Sequence, residues 1–153
     1  MELYTRYGPA LLRKCERMLG SRADAEDVVQ ALFLDLLRKG RTDVDLPYLY
    51  QAATRRSLNV IRDGRRRSEL LSRHGETLVP RQGAVDEAVI GAELVRRLCA
   101  ALPEQTAEIA VYAFLDRMSQ EEIAALCGLS RKTVGKRLEQ VRQAATALAG
   151  GPS

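Results

Sequence analysis

The sequence contains few of the residues on which disulfide frameworks, metal centres and catalytic sites usually depend. Its 153 residues include three cysteines, a single histidine and no tryptophan. Cys15, Cys99 and Cys127 are odd in number and far apart, which argues against a disulfide framework. Structural zinc usually takes about four closely spaced Cys or His ligands. We therefore predict no metal, no cofactor and no catalytic residue, and we expect the three cysteines to pack in the core as small hydrophobes.

Long apolar runs are also absent from the sequence. No stretch approaches the roughly 20 apolar residues of a membrane span. The N-terminal residues MELYTRYGPALLRK lack the basic-then-apolar order of a signal peptide. Hydrophobic residues make up 46% of the chain and charged residues 29%, which is typical of a globular protein with a buried core. We expect a cytoplasmic protein that does not insert into a membrane.

The net positive charge of the chain comes from one segment. Seven basic and two acidic side chains lie between residues 51 and 75, whereas the segments on either side are close to neutral. This basic block includes the stretch TRRSLNVIRDGRRR, residues 54–67. A local excess of arginine is typical of a surface that binds a phosphate backbone. Taken alone, the block is equally compatible with a solvated helix face or a disordered tail.

Apolar residues recur at spacings of three and four along most of the chain, which indicates helices. The predicted helices cover residues 3–19, 21–39, 47 through the basic block, 86–101, 103–117, 119–127 and 130–148. At Gly8-Pro9 the pattern leaves two alternatives: the regular first helix begins at Pro9, or the helix bends there. At Gly64 the third helix either continues or breaks. The stretch ETLVPRQGAV has no period and reads as a linker. The fold class is therefore all-α, with two small helical domains at 1–74 and 86–149 joined by a flexible linker at 75–85.

The segment SQEEIAALCGLSRKTVGKRLEQV predicts a helix-turn-helix in the C-terminal domain. Ser119 and Glu122 have the spacing of a capping box, Gly128 supplies the tight turn, and Ser130 caps a second helix. The inward positions of the two helices are Ile123, Ala124, Cys127, Val134, Leu138 and Val141. The outward positions near the start of the second helix are Arg131, Lys132, Lys136, Arg137 and Gln140. Basic groups at that end are typical of a recognition helix, and the alternative is a helical hairpin with a solvated basic face.

Two further helix faces are candidates for binding. In the third helix Arg55, Asn59, Arg62 and Arg66 follow one another at spacings of four, three and four, along one stripe. Arginines there would neutralise phosphates, and Asn59 can both donate and accept a hydrogen bond to a base. In the second helix Leu34 lies on an otherwise polar face, which hints at a docking surface. The predicted core face of that helix is Ala25, Val28, Val29, Leu32, Phe33, Leu36 and Leu37.

These motifs together resemble a known family. The stretches LYTRYGPALLRKCERMLGSRADAEDVVQALFLDLL, PYLYQAATRRSLNVIRDGRRR, LPEQTAEI and MSQEEIAALCGLSRKTVGKRL are similar to bacterial RNA polymerase sigma factors of the extracytoplasmic-function (ECF) type. The resemblance covers essentially the whole chain except the linker and the last few residues. It implies an alternative sigma factor with core RNA polymerase and promoter DNA as partners, and an anti-sigma factor as an inhibitor wedged between the two domains.

The resemblance also implies a role for three sets of residues. Binding to the clamp of the largest polymerase subunit would fall to Asp24, Asp27, Gln30 and Leu34. Contact with the −10 promoter element, and its melting, would fall to Gln51, Arg55, Asn59, Arg62 and Arg66. Contact with the −35 element would fall to Ser130, Arg131, Lys132, Thr133, Lys136 and Arg137.

The sequence departs from the family pattern at several positions. Tyr48 stands where the family often has Trp, and Ala31 where it often has an acidic residue. The loop before Pro47 is short, and capture of a flipped −10 base there would fall to Thr42, Asp43 or Asp45. Gly135 replaces a commoner polar residue in the recognition helix.

Two other functions are alternatives to that of a sigma factor. A stand-alone helix-turn-helix regulator would bind DNA without polymerase, but it offers no explanation for the Asp-Ala-Glu-Asp-x-x-Gln face. A small helical enzyme such as a nuclease needs a carboxylate cluster or a catalytic His/Cys pair. The scattered acids and the lone His74 provide neither.

Overall fold

The computed structural model describes residues 2–72 and 87–149, with the side chains of residues 2–64 and 91–148 among them. Every regular element within those ranges is a helix, which confirms the all-α fold class. The helices are α1 (Glu2–Leu19), α2 (Arg22–Arg38), α3 (Leu46–Ser72), α4 (Glu87–Ala101), α5 (Glu104–Ala110), α6 (Gln120–Cys127) and α7 (Arg131–Ala149), and a π-helical segment, Val111–Leu115, continues α5. The predicted linker at 75–85 lies outside the described residues.

Only some of the proline and glycine residues in the chain end a helix. α1 runs through Pro9, and α3 runs through Gly64 without a break. Gly20 ends α1 in the left-handed region, at φ +66°, where a side chain would be strained. A Cβ atom at Gly20 would also lie 2.9 Å from the guanidinium of Arg96. The sequence left open whether the third helix continues or breaks at Gly64, and the structure shows that it continues.

The N-terminal domain is built from α1, α2 and α3 around one apolar cluster. Its buried members are Leu11, Cys15, Ala25, Val28, Val29, Leu32, Phe33, Leu36, Val44, Leu49 and Ala53. Leu37 was assigned to this core from the sequence, and that prediction is wrong because the residue is 53% exposed. Leu36, 2% exposed, takes the inward position in this turn. Leu37 is rotated about 100° further round the helix and reaches solvent.

The C-terminal domain is built from α4, α5, the π-helical segment, α6 and α7. One cluster joins the helix-turn-helix to α5 and contains Ile109, Tyr112, Ile123, Ala124, Val134 and Leu138. A second cluster joins α4, α5 and α7 and contains Leu98, Ala110 and Val141. The inward positions predicted for the helix-turn-helix are buried as expected, apart from Cys127, which is half-buried.

The two domains share a fourth apolar cluster. Met18 of α1 and Leu58 of α3 pack with a set of buried residues from the C-terminal domain, namely Val95, Cys99, Ala107 and Val111. Burial raises the pKa of Cys99 to about 12, so its thiol stays protonated at neutral pH. The sequence predicted the core position of Cys99 but not that this core is shared between domains.

Candidate nucleic-acid and partner interfaces

The first candidate interface is the exposed face of α2, called here the docking face and made of Asp24, Asp27, Gln30 and Leu34. The helix begins after Ser21, whose Oγ accepts a hydrogen bond from the Asp24 amide at 3.2 Å. All four residues of the docking face are exposed. The acidic residues lie in the first turns of α2, where negative charge suits the helix dipole.

Leu37 extends the apolar end of the docking face. Leu34 is 52% exposed and Leu37 is 53% exposed. Residues three apart on a helix are neighbours, so the two side chains form one apolar patch in solvent. Leu37 lies three positions after Leu34, a spacing that places both on one face, but the sequence-based prediction assigned it to the core together with Leu36.

The second candidate interface is the α3 stripe, made of Gln51, Arg55, Asn59, Arg62 and Arg66. The structure places the first four on one face of α3, as the spacing predicts, and Asn59 is exposed. The backbone of α3 continues through residue 66, but the side chain of Arg66 lies outside the described side chains.

Three members of the stripe contact the C-terminal domain. The Nε2 of Gln51 donates to the Oε2 of Glu108 at 3.3 Å, and the Nε of Arg55 donates to the Oε1 of Glu108 at 3.1 Å. A guanidinium nitrogen of Arg62 donates to the carbonyl oxygen of Leu102 at 3.2 Å. The domains therefore meet on the face of α3 that the sequence predicted to face DNA.

Not all arginines of the basic block belong to this stripe. Arg56 points to α2 and forms an ion pair with Asp35 at 3.1 Å. Lys39 pairs with the same carboxylate at 3.1 Å. The hydrogen bond from Lys39 and the charge of Arg56 lower the pKa of Asp35. Arg56 thus links α2 to α3 inside the N-terminal domain.

The loop before Pro47 has a structural role at one of its three candidate residues. The Oδ1 of Asp45 accepts a hydrogen bond from the Tyr48 amide at 3.0 Å and so caps α3. Arg41 donates to the Tyr48 hydroxyl at 3.2 Å, with its guanidinium 4.8 Å from the ring centre. Thr42 and Asp43 are exposed.

Glu108 of α5 was missed by the sequence analysis. Its side chain is almost fully buried, and it accepts a hydrogen bond at 2.7 Å from the Tyr112 hydroxyl in addition to those from Gln51 and Arg55. Burial and the neighbouring carboxylate raise the pKa of Tyr112, so this hydroxyl remains a donor. Glu108 stands within the apolar run AEIAV, and this is only a weak sequence signal for a buried contact. Its partners Gln51 and Arg55 lie on α3, more than 50 positions away in the sequence.

A buried ion pair also joins the two domains. The Nζ of Lys14 lies 2.7 Å from the Oδ2 of Asp116, and both side chains are almost entirely excluded from solvent. Arg17, half exposed, approaches the other oxygen of Asp116 at 3.1 Å. The Lys14 ammonium also lies 4.7 Å from the ring centre of Tyr50. Burial lowers the pKa of Lys14, and the attraction of Asp116 opposes that shift.

The π-helical segment positions Asp116. The amide of Asp116 donates to the carbonyl of Val111 at 3.0 Å, a bond between residues five apart. The wider turn aligns Asp116 with Val111, which belongs to the shared apolar cluster. The residue that ends this segment therefore faces the N-terminal domain.

The third candidate interface is the helix-turn-helix of α6 and α7. Ser119 and Glu122 form the reciprocal capping box predicted for α6, with bonds of 3.1 Å and 2.8 Å. Gly128 adopts the left-handed conformation, at φ +67°, and makes the turn. The Oγ of Ser130 accepts from the Thr133 amide at 3.1 Å and caps α7. The predicted caps and turn are confirmed.

The start of α7 presents a recognition end, made of Ser130, Arg131, Lys132, Thr133, Lys136 and Arg137. Ser130, Arg131, Lys132 and Lys136 are exposed, and Thr133 and Arg137 are partly exposed. Arg131 pairs with Glu121 of α6 at 3.1 Å, with both side chains more than two-thirds exposed. Such an exposed pair contributes at most about 1 kcal/mol, so Arg131 is available to another anion.

Replacing Gly135 by alanine is expected to stabilise the protein. A Cβ atom there would meet only Gln120 Oε1, at an ordinary 3.7 Å. Alanine in a helix interior is favoured over glycine by about 1 kcal/mol, which corresponds to a rise in Tm of about 2–4 °C for a chain of this size. Thermal unfolding followed by circular dichroism measures the shift. Gly128→Ala is the matched control and should lower Tm, because φ is positive there; a lower Tm for Gly135→Ala would contradict the expectation.

The comparisons with known proteins agree with this arrangement. The family model for Sigma-70 region 2 matches residues 3–67, and the model for Sigma-70 region 4 matches residues 92–144. No curated protein gives a significant match. None of the helices in the described ranges is long and apolar enough to cross a membrane. With region 2 in α1–α3 and region 4 in α4–α7, the chain belongs to the sigma-70 family as an alternative sigma factor of the ECF type, acting through core RNA polymerase and promoter DNA in transcription initiation.

Proposed function

We propose that the three interfaces divide the work of promoter recognition. The docking face of α2 binds the clamp of the largest polymerase subunit. The α3 stripe contacts and helps to melt the −10 element, and the recognition end of α7 contacts the −35 element. The domain boundaries proposed for this division are 1–74 and 86–149, joined by a linker at 75–85.

The observation that carries this assignment is the basic start of α7. A helix-turn-helix inserts the N-terminal end of its second helix into the major groove. Lys132 and Lys136 are exposed there, one turn apart on α7, and their charges can neutralise phosphates beside the groove. Ser130 and Thr133 lie at the cap, where hydroxyl groups can reach a phosphate or a base edge.

The chemistry of the α3 stripe fits a strand that has left the duplex. Arg55 and Arg62 carry delocalised charges that match phosphate oxygens. Asn59, exposed between them along the helix, has both a donor and an acceptor for the edge of an unstacked base. In this proposal the chain makes and breaks no covalent bond, and its binding energy is used to open the promoter.

Two linked DNA-binding domains gain affinity from effective concentration when the linker spans both sites. We therefore propose that either domain alone binds promoter DNA weakly. We also propose that the protein works in the cytoplasm without inserting into a membrane, and that an anti-sigma factor inhibits it by competing for the surfaces where the two domains meet.

Run-off transcription with purified core RNA polymerase and promoter fragments tests the function. The chain should co-purify with core enzyme and direct initiation from a subset of the fragments. A protein that neither binds core enzyme nor directs initiation would contradict the proposal. Tight binding of the isolated chain to duplex DNA as a dimer, without polymerase, would instead identify the stand-alone regulator.

A further inference from the structure

An acidic residue lies on the face of α7 that the proposed function turns towards DNA. Lys132, Lys136, Glu139 and Gln143 follow one another at spacings of four, three and four, so they share one stripe of the helix. All four are exposed, and they lie opposite Val134, which is buried. A phosphate backbone repels a carboxylate, so Glu139 cannot serve to neutralise phosphates as the two lysines can.

Only one oxygen of the Glu139 carboxylate has a partner among the described residues. Its Oε2 accepts a hydrogen bond from the Nη1 of Arg142 at 3.2 Å. Both side chains are more than half exposed, and an ion pair in that setting contributes little to stability. No described residue donates to the Oε1. The carboxylate therefore keeps a free acceptor for a donor outside the chain.

Gly135, one turn before Glu139 on the same side of α7, is a second unexplained residue. It is not among the described glycines with a positive φ angle, so its conformation does not require glycine. Packing does not require it either, because a Cβ atom there would meet only the Oε1 of Gln120, at 3.7 Å. Glycine inside a helix is less stable than alanine, and it is typical of places where another molecule approaches the backbone closely. The missing side chain thus leaves room for a partner rather than for the fold.

Glu139 lies within reach of the base pair next to the one that faces Lys136. The rise of an α-helix is about 1.5 Å per residue, so Glu139 lies about 4.5 Å beyond Lys136 along the axis of α7. Successive base pairs are about 3.4 Å apart. With the recognition end in the major groove, Glu139 would therefore face the adjoining base pair, and Gly135 would lie beside it.

A carboxylate distinguishes the four bases in the major groove, because it accepts hydrogen bonds and donates none. Cytosine presents the N4 amino group as a donor, and adenine presents the N6 amino group beside the acceptor N7. Guanine presents two acceptors, and thymine presents an acceptor and a methyl group. The expected order of preference opposite a carboxylate is therefore cytosine, then adenine, then guanine and thymine.

We propose that Glu139 reads the amino group of a cytosine in the −35 element and that Gly135 lets the edge of that base approach α7. The inference rests on the proposed role of α7 at the −35 element, to which it adds a residue that selects a base. The carboxylate weakens binding to DNA in general, because it repels every phosphate, and it strengthens binding only where an amino group faces it. Glu139 therefore favours one promoter sequence partly by rejecting others.

Initiation from a set of substituted promoters tests the base preference. A fragment that supports run-off transcription is prepared with each −35 position changed to all four bases, and the transcripts are counted by sequencing. The wild-type holoenzyme should prefer cytosine over guanine or thymine by about tenfold at one position. Glu139→Ala should abolish that preference and leave the other positions unchanged. Glu139→Gln should move it to adenine, since an amide can bind the N6 and N7 of adenine together.

Arg142→Gln is the matched control for both variants. It breaks the same ion pair and keeps the Glu139 carboxylate, so the preference for cytosine should remain. Loss of that preference in Arg142→Gln as well would overturn readout by Glu139 and assign the effect to the ion pair. Stronger initiation by Glu139→Ala from every template would also overturn it, because the carboxylate would then be only a repelling charge on a solvated face.

Gly135→Ala separates the approach of DNA from folding. The variant is expected to have a higher Tm than the wild type, yet the added methyl group should hold the base edge away from α7. Initiation from templates that carry the preferred cytosine should fall by about fivefold or more, which is comparable to one mismatched base pair. A Gly135→Ala chain that is more stable and initiates as strongly as the wild type would overturn the close approach.

A double lysine variant distinguishes failure of this inference from failure of the proposed function. Lys132→Ala combined with Lys136→Ala should initiate poorly from every template in the set, whatever its −35 sequence. Normal initiation by that holoenzyme would remove the proposed role of α7 at the −35 element. Poor initiation by it, together with an unaltered base preference in Glu139→Ala, would keep that role and overturn the readout by Glu139 alone.

Discussion

Asp27→Arg combined with Gln30→Ala is expected to lower the affinity of the chain for core RNA polymerase by about two orders of magnitude or more. Reversing a charge at a complementary interface brings like charges together and costs several kcal/mol, and each 1.4 kcal/mol is tenfold in affinity. Both side chains are exposed on the docking face. The loss should therefore appear in binding and transcription, with the helical fold unchanged.

Titration of labelled variant against core enzyme measures this effect. Glu26→Arg is the matched control: the residue before Asp27 is also exposed and acidic, and it points about 100° away round α2. The control should bind within a few-fold of the wild type. Comparable weakening by both variants would indicate a general loss of negative charge, and an unchanged affinity for the double variant would mean that another face binds polymerase.

Phe33→Ala is expected to destabilise the N-terminal domain by about 3–5 kcal/mol, the usual range for a fully buried phenylalanine. Phe33 is 3% exposed in the cluster that joins α1, α2 and α3. Its ring makes an edge contact with Tyr4, with ring centres 5.1 Å apart. The free energy of unfolding of a domain is commonly only about 5–15 kcal/mol, so this one change would remove much of the stability of the N-terminal domain.

Urea denaturation followed by circular dichroism measures the loss. Leu37→Ala is the control in the next turn of the same helix, and it should change the free energy of unfolding by less than about 0.5 kcal/mol because its side chain is exposed. A loss below about 1 kcal/mol for Phe33→Ala would mean that the cluster collapses around the missing ring. Phe33→Leu should lie between the two.

Local patterns were enough to predict the helices and their caps. The capping box at Ser119, the turn at Gly128 and the cap at Ser130 depend on residues within four positions of one another, and all three are present. The same holds for the α3 stripe, since helical spacing alone places Arg55 and Arg62 on one face. The error at Leu37 came from the same approach, because spacing cannot say where a neighbouring helix ceases to cover its partner.

Contacts between the domains could not be predicted in this way. Lys14 and Asp116 are 102 positions apart, and Gln51 and Glu108 are 57 apart. Each residue reads locally as one more polar side chain on a helix, and only the folded chain shows which distant residue it contacts. The sequence gives no signal for the π-helical segment either, since one wider turn leaves the apolar spacing almost unchanged.

The residues of α5 that contact the α3 stripe differ from the exposed residues at the start of α7, which has a consequence for how such a protein can diverge. The contacts to the α3 stripe come from Glu108 and Leu102, whereas the recognition end begins with exposed residues of α7 such as Lys132 and Lys136. Substitutions at those lysines leave the contacts between the domains that the structure describes in place. If α7 has the proposed role at the −35 element, a duplicated copy could therefore acquire a new set of target genes while keeping the contacts between its domains.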